Sequence, residues 1–263
     1  MKYVIVTGAY GGMGASTVKA LLAQGYFVFA IDKSVGEPKE NLLPIKADLT
    51  SDRDVEAAIA TVREHTDEVF AIVHFAGIYM LDSLVEIEPE KFARAFDVNV
   101  FAAYRLNRAA LPLLKEGSRI IITTSELAPL DPLPFTGLYA VTKSALDKYA
   151  YSLRMELQLL GIKVIQLRPG AVSTDMLGAS TAALDRFCEK TKYYSCNAKR
   201  FKSIVESVEA RSVSSDKVAE KAVKILASRT PKYIYKINSN PLLIMLSILP
   251  KAMQTRIIKL ILK

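Results

Sequence analysis

The 263-residue chain predicts an α/β fold: a doubly wound parallel sheet with helices on both faces, in a single domain. Three observations predict it. Short, almost wholly apolar runs alternate with longer stretches of helical period, the pattern of strands buried on both faces of a parallel sheet. The first of these runs leads at once into a glycine-rich turn and then a helical pattern. Composition agrees, since 51% hydrophobic and 24% charged residues are ordinary for such a domain, and no repeat, low-complexity tract or linker divides the chain.

Tyr3-Val4-Ile5-Val6 is short enough for a buried strand, and Ser16 to Leu22 reads as a helix. Between them stands Thr7-Gly8-Ala9-Tyr10-Gly11-Gly12-Met13-Gly14. Its glycines let the backbone turn tightly and approach a pyrophosphate, whose charge then sits at the positive end of the helix. A second apolar run, Phe27-Val28-Phe29-Ala30-Ile31, ends at Asp32, where a carboxylate can accept hydrogen bonds from both adenine-ribose hydroxyls. Strand, glycine turn, helix and a later acidic residue together predict a dinucleotide site. Helical periodicity continues at Val55 to Val62, Phe92 to Leu114 and Ala140 to Leu160, with strands at Arg119 to Thr123 and Lys163 to Leu167.

The third helical stretch opens with Tyr139-Ala140-Val141-Thr142-Lys143. Residues four apart share one helix face, so the phenol and the ammonium group project into the same space. Using a tyrosine as a base near neutrality means lowering its pKa from ~10 by about 2–3 units, worth roughly 3–4 kcal/mol. One cation at ~4 Å in an effective dielectric of ~20 supplies about 4 kcal/mol. A proton-transfer pair is the expectation.

With these residues the sequence resembles the short-chain dehydrogenase/reductase family over nearly all of residues 1 to 175, in the family's motif order. In the resemblance Asp48 and Leu49 hold the adenine ring, Asn99 is the active-site asparagine, and Ser125 precedes Tyr139 and Lys143. Ala76 and Gly77 bring backbone close to the cofactor. Arg168-Pro169-Gly170-Ala171-Val172-Ser173-Thr174 matches the segment closing over the nicotinamide, so that Pro169, Gly170, Val172 and Thr174 join Gly8, Tyr10, Gly12, Met13, Gly14, Asp32 and Lys33 as expected cofactor contacts. The implied chemistry passes a hydride between a carbinol carbon and nicotinamide C4 while Tyr139 exchanges the proton, Ser125 aligns the substrate oxygen, and Lys143 holds the nicotinamide ribose. Asn99 would anchor a water through which Lys143 exchanges protons. No metal is required.

Two departures stand out. His74-Phe75-Ala76-Gly77 replaces the common Asn-Asn-Ala-Gly, and His74 is expected to be a core or strand-end histidine rather than a catalytic one. Ser125 lies one position further from Tyr139 than usual, across Pro129-Leu130-Asp131-Pro132-Leu133-Pro134, which leaves Thr124 and Glu126 as geometric alternatives. Ser125 is favoured because an ionised Glu126 cannot donate to a substrate oxygen. The loop fits two patterns: Gly8, Gly12 and Gly14 for the classical branch, or Gly8, Gly11 and Gly14 for extended members such as sugar-nucleotide epimerases. At 263 residues there is no room for the extended branch's second domain, so the classical branch is expected.

NAD(H) is expected over NADP(H), because Asp32 would repel a 2′-phosphate and no arginine occupies the loop. Lys33, a cation beside the acidic position, keeps NADP(H) open. Cys188, Cys196, His65 and His74 form no metal spacing. A strand begins within three residues of the amino terminus with no apolar signal segment, so a cytoplasmic chain with reduced thiols is expected. The net charge of +8 comes without a nucleic-acid-binding motif and reads as a solvated surface.

Residues 175 to 212, with Met176, Leu177, Leu184, Phe187, Tyr193, Tyr194 and Phe201 among many lysines, look like the family's substrate lid. The apolar and basic tail, 232 to 263, could pack on the core or in a homodimer or homotetramer, wall a lipophilic pocket, or touch a membrane surface without spanning it. Three functions remain: an oxidoreductase of a lipophilic secondary alcohol or ketone such as a steroid, retinoid or long-chain compound; a catalytically silent dinucleotide sensor that binds partners; and an epimerase.

Overall fold

The computed structural model describes the backbone of residues 1–263 and the side chains of all but residues 175–182 and Glu209. In chain order it contains β1 (Tyr3–Thr7), α1 (Gly12–Ala23), β2 (Phe27–Asp32), β3 (Leu42–Lys46), α2 (Asp52–Arg63) and β4 (Ala71–His74). Then come α3 (Pro89–Phe96), a π-helical turn (Asp97–Phe101), α4 (Ala102–Ala110), β5 (Arg119–Thr123), α5 (Gly137–Leu157) and β6 (Lys163–Pro169). The remainder is β7 (Val172–Ser173), α6 (Asp175–Lys190), α7 (Ser195–Glu209), β8 (Val213–Ser214), α8 (Ser215–Ala227), β9 (Ile234–Ile237), α9 (Pro241–Ile248) and α10 (Lys251–Leu262).

Seven strands form one parallel sheet in the order β3-β2-β1-β4-β5-β6-β9. Winding reverses between β1 and β4, and in such sheets a ligand crevice opens there, beyond the carboxyl ends of the strands. The period-2 alternation of the strands decides which side chain meets which helix layer. Ile5, Phe29, Ile72, Ile120 and Val164 pack one face against Val55 and Ile59 of α2, Leu106 of α4 and Leu146 of α5. Val4, Val28, Val73, Ile121 and Ile165 pack the other against Val18 and Leu21 of α1 and Val218 and Ile225 of α8. A third apolar cluster outside the sheet joins Phe135, Leu184, Phe187, Phe201 and Leu262.

The single helix expected over Phe92 to Leu114 is interrupted. At Asp97–Phe101 the hydrogen bonding slips by one residue, Ala102 N donating to Asp97 O, and such π turns often accompany functional positions. Asn99 lies within it. The helix starts earlier than its apolar period, at Pro89, where a missing N–H costs nothing in the first turn.

Candidate active site

The site is assembled at the carboxyl ends of the strands. Gly8, directly after β1, holds φ +62°, and a Cβ there would stand 2.7 Å from Ala76 N. A Cβ on Gly14 would fall 1.9 Å from Gly8 O, and one on Gly12 2.6 Å from Thr174 Cγ2. At Gly11 the nearest atom would be 3.5 Å away, an ordinary contact. The loop therefore depends on Gly8, Gly12 and Gly14, and the Gly11 alternative has no steric basis.

The start of α1 is built for an anion. It lacks a side-chain cap and any acidic residue in its first turn, whereas α2 is capped by Ser51 and begins with Asp52 and Asp54. Bare N–H groups at a helix N-terminus suit a phosphate. Asp32, at the end of β2, accepts Tyr10 N at 3.0 Å and Lys33 N at 2.7 Å, one on each carboxylate oxygen, so each retains a further lone pair. Lys33 Nζ is drawn 2.9 Å from Asp48. Burial would raise the Asp48 carboxyl, but the Lys33 and Thr50 hydrogen bonds prevail and hold it at about 2. Leu49 is buried behind it. The cradle and the carboxylate edge fit a dinucleotide.

The reactive groups converge from β5 and α5. Ser125 is buried just beyond β5 and hydrogen-bonds to the Tyr139 hydroxyl. Lys143, buried one turn on, donates from Nζ to Thr123 O at 3.1 Å and lies 5.7 Å from the centre of the Tyr139 ring. Burial pushes the phenol up to about 12, Ser125 opposing and the Glu126 charge reinforcing the rise. Burial brings Lys143 down to about 8. The expected lowering of the tyrosine by the neighbouring cation is not found: burial dominates, and the Lys143 ammonium group donates to a backbone carbonyl.

Glu126 stands in the same enclosure. Its Oε2 accepts Asn240 N at 2.6 Å, tying the residue before α9 to the loop after β5. Thr124 Oγ1 is buried without a hydrogen-bond partner. Asn99 accepts Ile78 N at 2.7 Å and donates to Ile78 O and Thr142 Oγ1, both at 3.0 Å. A Cβ at Gly77 would stand 3.2 Å from Asn99 Oδ1 and 3.6 Å from Lys143 Nζ, so glycine admits both side chains. His74 is a core histidine, 4% exposed, with Nε2 2.8 Å from Asn107 Oδ1 and its pKa lowered to about 4 by burial.

The long connection between Ser125 and Tyr139 turns at Phe135, a non-glycine residue at φ 65° whose ring packs on Phe187, Tyr194 and Phe201. Backbone strain of this kind, of order 1–3 kcal/mol, persists where the surroundings over-determine it.

A cavity of about 190 Å³ lies above these groups. Met13, Gly77, Ser125, Tyr139, Lys143, Pro169, Gly170, Val172 and Thr174 line its floor and near side. Its far wall is Phe201, Ile204, Val205 and Val208 of α7 with Leu243 of α9. Of the expected lid residues, Phe201 reaches the cavity. Leu184, Phe187 and Tyr194 are spent in the third apolar cluster, and Tyr193 is exposed. The side chains of Met176 and Leu177 lie outside the described residues. Ile204, Val205 and Val208 lie within the expected lid segment but outside its expected apolar side chains, although with Phe201 they repeat at i, i+3, i+4 and i+7, the signature of one helix face. Among the described residues no group of three or more His, Cys, Asp or Glu is placed to hold a metal ion.

A sequence model described as short chain dehydrogenase matches residues 2–185. Estradiol 17-beta-dehydrogenase 2 of Mus musculus is 30% identical over 190 residues, 68% of this chain and 50% of the mouse enzyme. The chain thus aligns with only half the length of that relative. A probable short-chain type dehydrogenase/reductase, VdlC, of Helicobacter pylori is 25% identical over 98% of this chain and 96% of its own. A short chain dehydrogenase family protein from Francisella tularensis has the same fold, with TM-score 0.76 and 24% identity over 90% of this chain and 97% of its own. Glycine cradle, seven-stranded sheet and family match agree: the chain belongs to the short-chain dehydrogenase family.

Proposed function

We propose that this oxidoreductase interconverts a secondary alcohol and a ketone on a bulky, lipophilic substrate, with NAD(H) preferred over NADP(H). The observation that carries it is one cavity with Ser125, Tyr139 and Lys143 on its floor and aliphatic and aromatic side chains on its far wall. A bound nicotinamide dinucleotide would supply or accept the hydride. Gly8, Tyr10, Gly12, Met13 and Gly14 would hold its pyrophosphate, Asp32 its adenosine ribose, Asp48 and Leu49 the adenine, and Ala76, Gly77, Pro169, Gly170, Val172 and Thr174 the nicotinamide end.

The chain's own part is to bind the substrate oxygen and move a proton. Ser125 donates to that oxygen, and Tyr139 gives its proton to it in reduction; in oxidation the phenol first passes its proton out through Lys143 and then, as phenolate, takes the hydroxyl proton. Lys143 replenishes the phenol and holds the nicotinamide ribose, and Asn99, beside it across Gly77, anchors the exchanging water. NAD(H) is supported by the Asp32 carboxylate and by Lys33, whose charge is engaged by Asp48 rather than left facing a 2′-phosphate. The lipophilic substrate is supported by the far wall and, at 30% identity, by a relative named for a steroid. Exposed Phe101, Tyr104, Val141 and Met155, around α4 and α5, support self-association as a homodimer or homotetramer.

A silent dinucleotide sensor is the second reading. Binding alone does not call for a buried phenol hydrogen-bonded to a serine beside a buried lysine. Cofactor fluorescence with a panel of ketones tests the choice: NADH should be consumed with substrate and be used more efficiently than NADPH, and Asp32→Ala should reduce that preference about tenfold, about 1.4 kcal/mol. No consumption with any ketone, or net-zero turnover, would favour the sensor or an epimerase.

A further inference from the structure

Charge is distributed very unevenly. Residues 221–263 contain nine lysines and arginines and no acidic residue, leaving 26 cations against 27 acids in residues 1–220. The same segment carries bare apolar surface. Leu242, Met245 and Ile248 form one stripe of α9 and are 64%, 65% and 77% exposed; Leu260 of α10 is 80% exposed. Lys251, Arg256, Lys259 and Lys263, on α10 and at its end, are exposed too, Arg256 and Lys263 at helical spacing from Leu260.

This surface is held firmly in place. Asn240 N is fixed to Glu126; Lys251 and Gln254 both reach Asp131; and Leu262 is buried against α7. Leu243, on the other side of α9 from the exposed stripe, lines the cavity. One short helix thus separates the substrate cavity from a bare apolar face.

A second copy is a poor occupant. Two such faces meeting about a two-fold axis would oppose Arg256, Lys259 and Lys263 of one copy to the same three cations of the other, and among the described residues only Lys251 of the segment has an acid, Asp131, beside it. An anionic bilayer supplies both what the stripe and what the cations need. At 1.5 Å per residue an eight-residue helix is about 12 Å long against a hydrocarbon core of about 30 Å, so it can lie in the surface but not cross. Among the described residues no helix is long and apolar enough to span a membrane.

We propose that α9 and α10 dock the protein on an anionic lipid surface, with Leu242, Met245 and Ile248 in the boundary between headgroups and acyl chains. Substrate then enters from the lipid phase past Leu243. Docking stands on the surface alone; delivery rests on the lipophilic-substrate reading above.

The test is co-sedimentation of the full chain with vesicles of phosphatidylcholine, alone or with one third phosphatidylglycerol. Wild type should partition at least about tenfold more strongly to the anionic vesicles and be released in about 1 M salt, where the Debye length falls to about 3 Å. Leu242→Ser/Met245→Ser/Ile248→Ser should lower that partition about tenfold while leaving turnover of a short water-soluble ketone unchanged, which reports an intact fold. No partition of wild type, or equal partition of the serine variant, overturns docking. So does gel filtration in which the serine variant alone falls to a smaller oligomer, since the face then belongs to a second copy. Long ketones supplied in the vesicles separate the two claims. Docking without preference for long ketones rejects the substrate reading and leaves docking intact; preference for long ketones without docking does the reverse.

Discussion

The floor of the cavity and its far wall are built in different ways. Ser125, Tyr139 and Lys143 come from the end of a central strand and the helix after it, and each is tied to a neighbour: Ser125 to Tyr139, Lys143 to the Thr123 carbonyl. Phe201, Ile204, Val205, Val208 and Leu243 come from two helices beyond the sheet and contribute only apolar surface. Hydrogen-bonded groups on rigid elements hold a reaction geometry, while packed apolar side chains accept a change of volume for about 1–3 kcal/mol. Substitutions should therefore stop the chemistry at the floor and retune selectivity at the wall.

The largest expected effect is at the floor. Tyr139→Phe removes one hydroxyl and should lower turnover by roughly 10²–10⁴-fold, the usual worth of a positioned acid or base, with NADH affinity nearly unchanged. Lys143→Ala should damage both, because the ribose contact goes too. Stopped-flow turnover and fluorescence titration separate the two. A phenylalanine variant within about tenfold of wild type would remove Tyr139 from the role.

The sheet beneath the floor carries a pH dependence at His74. Its folded pKa of about 4 lies below the ordinary ~6.5, so between those values the unfolded chain takes up the proton first. Stability contributed here is complete above pH ~6.5 and is lost as pH falls toward about 4, by about 3 kcal/mol. Urea denaturation of wild type and His74→Gln at pH 7 and 4.5 should show wild type losing about 2–3 kcal/mol more than the variant. Parallel losses would mean that His74 is not the group responsible.

The glycine loop sharpens the comparison within four residues. Gly14→Ala drives a methyl group into Gly8 O and should cost about 1–3 kcal/mol of stability along with cofactor affinity. Gly11→Ala meets only an ordinary contact and should cost under about 1 kcal/mol. Thermal melts with and without NADH check the pair, and equal losses would discard the steric account.

How much of this was legible in the sequence follows the same division. The strands, the glycine loop, Asp32 and the Tyr139–Lys143 pair were readable because local chemistry dictates them: a parallel strand must be apolar, a positive φ at Gly8 needs glycine, and a helix brings residues four apart together. The phenol's raised pKa was not, because desolvation depends on the whole enclosure and not on the nearest charge. Nor was the far wall fully visible. The stripe from Phe201 to Val208 was present at helical spacing, but only the folded chain shows that it faces the cavity while Leu184 and Phe187 face the third cluster. The link from Glu126 to Asn240 spans 114 positions and left no local trace.

That floor and wall act on one substrate is tested most directly by kcat/KM for methyl ketones of increasing chain length, in wild type and in Leu243→Ser. Burying a methylene contributes about 0.8 kcal/mol, so wild-type efficiency should rise about fourfold per added carbon until the cavity is full. Leu243→Ser should flatten that rise and leave the shortest ketone unaffected. Equal wild-type efficiency at every length would contradict the account.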